Sequence, residues 1–175
     1  MEELVKQARK GDDKAFEQLI KSIQLDLYRI AHLRLSNEED ILDAVQVSII
    51  EIFVNIRKLR DVRSFKSWAI KILINECNTI YRKNQRYEVE EYDEKVDKSY
   101  SSSIDDKLSE YSFDDLLKGL KYEEKLILTL FYKNDLTTKQ ISKILDEKEA
   151  TIRTRLARAR NKIKNDLMEG GYLYE

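Results

Sequence analysis

The chain has 175 residues and sets 32 Lys and Arg against 33 Asp and Glu, with one His, one Cys, four Gly and no Pro. One His and one Cys cannot build a tetrahedral zinc site or a structural disulfide, and so few glycines leave no phosphate-binding loop or dinucleotide fingerprint. Scarce turn residues exclude a sandwich or barrel of many turns, no apolar run reaches membrane-spanning length, and Met1-Glu2-Glu3-Leu4 lacks the parts of a signal peptide. An all-α, soluble, cytoplasmic protein without metal or cofactor is expected.

In chain order, Gly11-Asp12-Asp13 precedes an apolar series at Phe16, Leu19, Ile20, Ile23, Leu27, Ile30 and Ala31, spaced three and four apart, a helical period. Ser36, with Glu39 three residues on, fits a capping box. It opens a helix whose apolar positions are Ile41, Leu42, Val45, Ile49, Ile52, Phe53 and Ile56. After the polar stretch 57–63, Ser64 is placed to cap a last helix through Phe65, Trp68, Ile72, Cys77 and Ile80 to Arg86. Three or four helices are expected here. Phe65 and Trp68, at helical spacing, read as core rather than as stacking platforms.

Net charge divides the chain. Residues 1–87 carry +3, residues 88–114 carry −7 and residues 115–175 carry +3. The middle part, with Ser101-Ser102-Ser103 and few aliphatics, reads as a flexible, self-repelling acidic linker. The expected design is two small helical domains, 1–87 and 115–175, on an acidic tether over 88–114.

In the second domain helices centre on 114–119, 123–132, 138–145 and 150–167, with a capping box of Thr137 and Gln140 opening the third. From Lys148 to Lys164, both ends included, stand seven basic residues, mostly Arg, against Glu149 alone. At 100° per residue Ile152, Leu156, Ala159 and Ile163 share one narrow arc, the core stripe. Arg153, Thr154, Ala157 and Arg158 project from the opposite side, and Arg155 and Lys162 flank the stripe. A short helix, a tight turn and a longer basic helix are the parts of a helix-turn-helix, whose second helix enters the major groove. There Arg reads guanine bidentately and other cations meet phosphate. A solvated charged helix face is the competing reading.

Two motif groups are familiar. Thr151-Ile152-Arg153-Thr154-Arg155-Leu156-Ala157-Arg158-Ala159-Arg160 resembles the region 4.2 recognition helix of the extracytoplasmic-function (ECF, group 4) sigma factors of bacterial RNA polymerase, within the sigma-70 family. Asp40-Ile41-Leu42-Asp43-Ala44-Val45-Gln46 is similar to their region 2.2, and residues 64–75 to regions 2.3 and 2.4. The resemblance implies a sigma-2 helical bundle and a sigma-4 helix-turn-helix. It also implies a factor that is no enzyme and joins core polymerase at the β′ clamp helices and the β flap. Asp43, Gln46 and Ile50 would then contact core polymerase; otherwise Asp43 and Gln46 are ordinary exposed helix residues. Arg153, Thr154, Arg155, Ala157, Arg158 and Lys162 would meet the −35 element of promoter DNA.

For the −10 element the matching positions are Arg63, Lys66, Lys71, Asn75, Arg82, Lys83 and Arg86. Lys71 and Asn75 stand one turn apart, and Arg82, Lys83 and Arg86 form either a phosphate track or a solvated helix end. The family further implies an anti-sigma factor, membrane-anchored or soluble, in a stress or cell-envelope response. Its connecting segment imitates RNA near the polymerase active centre; here a solubilising tether fits 88–114 equally.

The sequence departs from the family pattern in two places. Asp146, Glu147 and Lys148 stand where a Gly, an apolar residue and a polar cap are usual, and Asp146 is expected to tolerate the left-handed conformation the turn requires. Val47 and Ser48 replace residues that are commonly acidic and apolar. His32 reads as a helix-end structural residue and Cys77 as a buried thiol. The rival function is a stand-alone helix-turn-helix regulator with a helical sensor or dimerisation domain, and a helical scaffold would need no basic face.

Overall fold

The computed structural model describes residues 1–88 and 113–169, which are helical without a strand and form two compact units. Positions 89–112 of the expected tether lie outside the described residues.

The first unit is built from α1 (Glu2–Arg9), α2 (Asp13–Lys21), α3 (Gln24–His32), α4 (Glu38–Asn55) and α5 (Phe65–Glu88). This is one or two more helices than the sequence suggested. Helix α1 buries only Val5 and Ala8, too little for a periodic signal, and Glu2, Glu3 and Arg9 suit its two ends. Gly11 turns the chain into α2 at φ 94°, where a Cβ would lie 3.1 Å from the Arg57 guanidinium. Asp12 then caps α2 by accepting the Ala15 N–H at 3.0 Å.

The apolar series from Phe16 to Ala31 is divided between two helices at Ser22-Ile23. Ser22 Oγ donates to the Leu19 carbonyl at 2.7 Å, and Ile23, at φ −122° and ψ −12°, leaves the helical region. A serine bonding to its own backbone competes with helix propagation. The apolar spacing runs on across the break, so it concealed it.

Two caps also differ from expectation. Asn37, not Ser36, caps α4, its Oδ1 accepting the Glu39 N–H at 2.8 Å. Before α5 the chain makes two 3-10 turns, Ile56–Lys58 and Val62–Ser64. There Asp61 accepts the Arg63 N–H at 3.0 Å, while Ser64 Oγ donates back to the Asp61 carbonyl at 2.7 Å.

Helix α4 packs on α3 and α5. Asn84 on α5 donates to Asp40 Oδ2 on α4 at 2.7 Å, and the Arg34 guanidinium lies 3.6 Å over the Tyr81 ring. Leu27, Ile30, Ile41, Ile52, Phe65 and Leu73 are buried at this junction, each side chain contributing about 1.5–3 kcal/mol. Leu42 and Phe53, in the apolar series of the same helix, are 46% and 52% exposed. Helix α4 is apolar on both sides, so periodicity could not choose which side faces inward.

The second unit is built around α6 (Phe113–Leu116), α7 (Tyr122–Leu128) and α9 (Glu149–Glu169), with α8 (Thr138–Leu145) leading into α9. Helix α7 runs into a π turn, Thr129–Lys133. Thr137 and Gln140 form the expected capping box. The Gln140 side chain accepts the Thr137 N–H at 2.9 Å, and Thr137 Oγ1 accepts the Gln140 N–H at 3.3 Å. Asp146 takes the left-handed conformation at φ 53°, so the turn forms without glycine.

Candidate nucleic-acid interface

Helix α9 sorts its residues by the α7 contact. Ile152, Leu156 and Ala159 are buried, and Ile163 is half-buried. Arg153, Thr154, Ala157 and Arg158 face away and are exposed, the face that helical geometry assigned. Arg158 is engaged by no carboxylate among the described residues.

The flanking cations are held differently. Arg155 is half-buried, with Nη1 donating to Glu147 at 2.7 Å. Lys162 donates to Glu124 on α7 at 2.6 Å. Hydrogen bonding to Lys162 lowers the pKa of Glu124, and hydrogen bonds from Thr138 and then Arg153 lower that of Glu149. Both carboxylates are therefore charged at neutral pH. Arg160, absent from the sequence-derived set, lies 5.3 Å over the Phe131 ring and 5.4 Å over the Tyr132 ring, so it fastens α9 to the π turn.

In the first unit α5 is continuous for 24 residues, about 36 Å at the helical rise. Lys71, Asn75, Arg82 and Arg86 recur at helical spacing along one side of it. Lys71 is half-exposed, Asn75, Arg82 and Lys83 are exposed, and Arg86 lies in the last turns. Lys66 stands on the other side of the helix, paired with Asp26 at 3.0 Å. Arg63 is exposed in the preceding 3-10 turn and clasps Asp61 through Nε at 3.1 Å and Nη2 at 3.2 Å. That pair holds the Asp61 carboxyl below its usual range and raises Arg63. Phe65 is core, as expected. Trp68 is only half-buried, on the stripe of Lys71 and Asn75.

Helix α4 presents the other candidate surface. Asp43, Gln46 and Ile50 are exposed. Around them Leu42, Val47, Phe53 and Val54 complete an apolar face on which Ile50 and Val54 are each 63% exposed. A contiguous exposed apolar patch marks an interaction site. Sequence reading missed four of its members because they resemble core residues. Of the two departures in region 2.2, Val47 belongs to this face. Ser48 is buried, its hydroxyl donating to the Ala44 carbonyl at 2.6 Å.

Among the described residues no cluster of His, Cys, Asp or Glu could hold a metal ion, and no helix is long and apolar enough to cross a membrane. Cys77 is buried, and burial pushes its thiol up to about 12. His32 ends α3 beside Tyr28, ring centroids 6.2 Å apart.

Two family models cover most of the chain. The Sigma-70 region 2 family matches residues 19–87, and the Sigma-70, region 4 family matches residues 111–163. RNA polymerase sigma factor SigV of Bacillus subtilis is 31% identical over 134 residues, covering 77% of this chain and 80% of that protein. The ECF RNA polymerase sigma-E factor of Haemophilus influenzae is 28% identical over 180 residues, covering 94% and 93%. Two solved structures share the fold. CnrH in complex with the cytosolic domain of CnrY has a TM-score of 0.65 at 20% identity, covering 96% of this chain and 97% of that one. The sigma factor RpoE of Bartonella quintana, in complex with the anti-sigma factor NepR, has 0.69 at 22%, covering 89% and 98%. The chain belongs to the sigma-70 family of RNA polymerase sigma factors, in its extracytoplasmic-function group.

Proposed function

We propose that this sigma factor docks on core RNA polymerase through α4 and reads promoter DNA with α5 and α9, with domains at 1–87 and 115–175 on an acidic linker at 88–114. The observation that carries the reading is the exposed side of α9, where Arg153, Thr154, Ala157 and Arg158 stand together while Ile152, Leu156 and Ala159 are buried behind them. Such a face suits the major groove, with Arg on guanine and Thr154 on a base or phosphate. Arg155 and Lys162, already paired with carboxylates, serve the helix frame first and phosphate second.

Along α5, Lys71, Asn75, Arg82, Lys83 and Arg86 would follow the −10 element and its displaced strand, with Trp68 offering a ring to an unstacked base. Arg63 would approach the same strand from the 3-10 turn, while Lys66, on the other side of α5, would hold that helix to α3 through its pair with Asp26. On α4, Asp43, Gln46 and Ile50 would meet the β′ clamp helices, and the second domain would meet the β flap. The protein would act in the cytoplasm and catalyse no reaction of its own. An anti-sigma factor, as in the RpoE–NepR complex, would cover these surfaces until a signal arrives.

Run-off transcription with core polymerase, with and without the purified chain, tests the reading on templates from a genomic pool. Promoter-dependent transcripts are expected only when the chain is present, and their absence overturns it. A stand-alone regulator would instead bind a specific duplex tightly without polymerase.

A further inference from the structure

Arg153 is oriented before any DNA arrives. Its Nη2 donates to Glu149 Oε1 at 2.8 Å, one turn earlier on α9. The same oxygen accepts Thr138 Oγ1 at 2.7 Å. Thr138 is the first residue of α8 and Glu149 the first of α9. One carboxylate oxygen thus ties the start of both helices of the helix-turn-helix to the guanidinium that leads the exposed face. The Glu149 side chain is 33% exposed and that of Arg153 69%, so the carboxylate stands behind and the guanidinium in front.

As a contribution to folding, an exposed pair one turn apart counts for little. Its consequence is directional. Guanidinium carries five N–H donors in a rigid plane, and guanine takes two of them only if that plane is correctly set. With Nη2 engaged by Glu149, the remaining donors can turn to a base edge, and side-chain freedom is already reduced before binding. The carboxylate also offsets the charge of Arg153 and repels phosphate, which lowers the helix's attraction for DNA of any sequence.

We propose that Glu149 is a positioning residue for promoter specificity: it sets Arg153 for one base pair of the −35 element and weakens generic phosphate binding. The proposal rests on the reading of α9 as the −35 helix. A merely structural residue would weaken recognition at every −35 position alike, whereas Glu149 should act at the pairs read by Arg153 alone.

The test uses holoenzyme assembled from the full chain and core polymerase, on promoters randomised across the −35 element, with transcripts sequenced. Arg153→Ala should reduce discrimination at one or two adjacent pairs by about tenfold or more. Glu149→Ala should reduce it at the same pairs by about three- to tenfold, leave pairs sensitive to Arg158→Ala within about twofold, and raise binding to promoter-free DNA. Glu149→Gln, which keeps an acceptor for Thr138 and Arg153, should hold the preference within about threefold yet still raise promoter-free binding. Unchanged discrimination in Glu149→Ala, or an equal loss at every position, overturns the proposal while the reading of α9 stands. If Arg153→Ala alters no base preference, that reading of Arg153 fails and the proposal falls with it.

Discussion

Lys162 on α9 donates to both carboxylate oxygens of Glu124 on α7, at 2.6 and 2.8 Å. The Lys121 N–H donates to the same carboxylate at 3.1 Å, so one side chain both opens α7 and fastens it to α9. The basic helix is therefore held from behind by a cation that its sequence would send to DNA.

Acid should loosen this junction. The Glu124 carboxyl titrates below its ordinary 4.5, chiefly through its hydrogen bond to Lys162. Its contribution is whole above about pH 4.5 and is lost as pH falls through the lower folded value. Glu124→Gln should destabilise the second unit by about 0.5–1 kcal/mol at neutral pH. The difference from the unsubstituted chain should close on acidification. Hydrogen exchange of α7 and α9 amides as a function of pH measures it, and a gap that widens toward acid contradicts the assignment.

Arg158 is exposed and unpaired with any carboxylate among the described residues. Arg158→Ala should cost about 1–3 kcal/mol in −35 recognition if it contacts a base, concentrated at particular positions. If it meets phosphate only, the loss is uniform across sequences and the salt dependence of binding becomes shallower by about one unit of slope. Titration of holoenzyme on −35 variants at several salt concentrations separates these outcomes.

On α4, Ile50 and Val54 are 63% exposed. Replacing Ile50 with Asp should leave thermal unfolding nearly unchanged, within about 0.5 kcal/mol as for other surface changes. A charge in the centre of an apolar interface should weaken association with core polymerase by about tenfold or more. Co-migration with core polymerase reads the second effect. Normal assembly by a stable Ile50→Asp chain would remove α4 from the polymerase contact.

Phe65 is buried at the start of α5, its ring 6.2 Å from that of Trp68, the single tryptophan. Phe65→Ala should destabilise the first unit by about 3–5 kcal/mol. Trp68 fluorescence reports that unit directly, and its denaturant midpoint should fall accordingly.

Cys77 is held near 12 by burial, well above its ordinary 9.0. The protonated thiol should resist alkylation at pH 8 until the chain unfolds. Because its folded pKa is raised, its contribution to stability is full below about pH 9 and fades as pH rises toward 12. Rapid labelling of the native chain would reopen a redox role.

What the sequence by itself determined was local. Apolar spacing set the inward stripe of α9, the Thr137–Gln140 cap set the start of α8, and Asp146 supplied a left-handed turn without glycine. Such features depend on neighbours within about four residues, which periodicity and capping rules describe. The tertiary structure decided what depends on distant partners. It turned Leu42 and Phe53 of α4 outward and drew Lys66 to Asp26. It also committed Lys162 to Glu124 while leaving Arg158 facing solvent. A cation's sequence context fixes its charge, but only packing fixes which carboxylate lies within reach, and so which part of a basic helix remains to meet DNA.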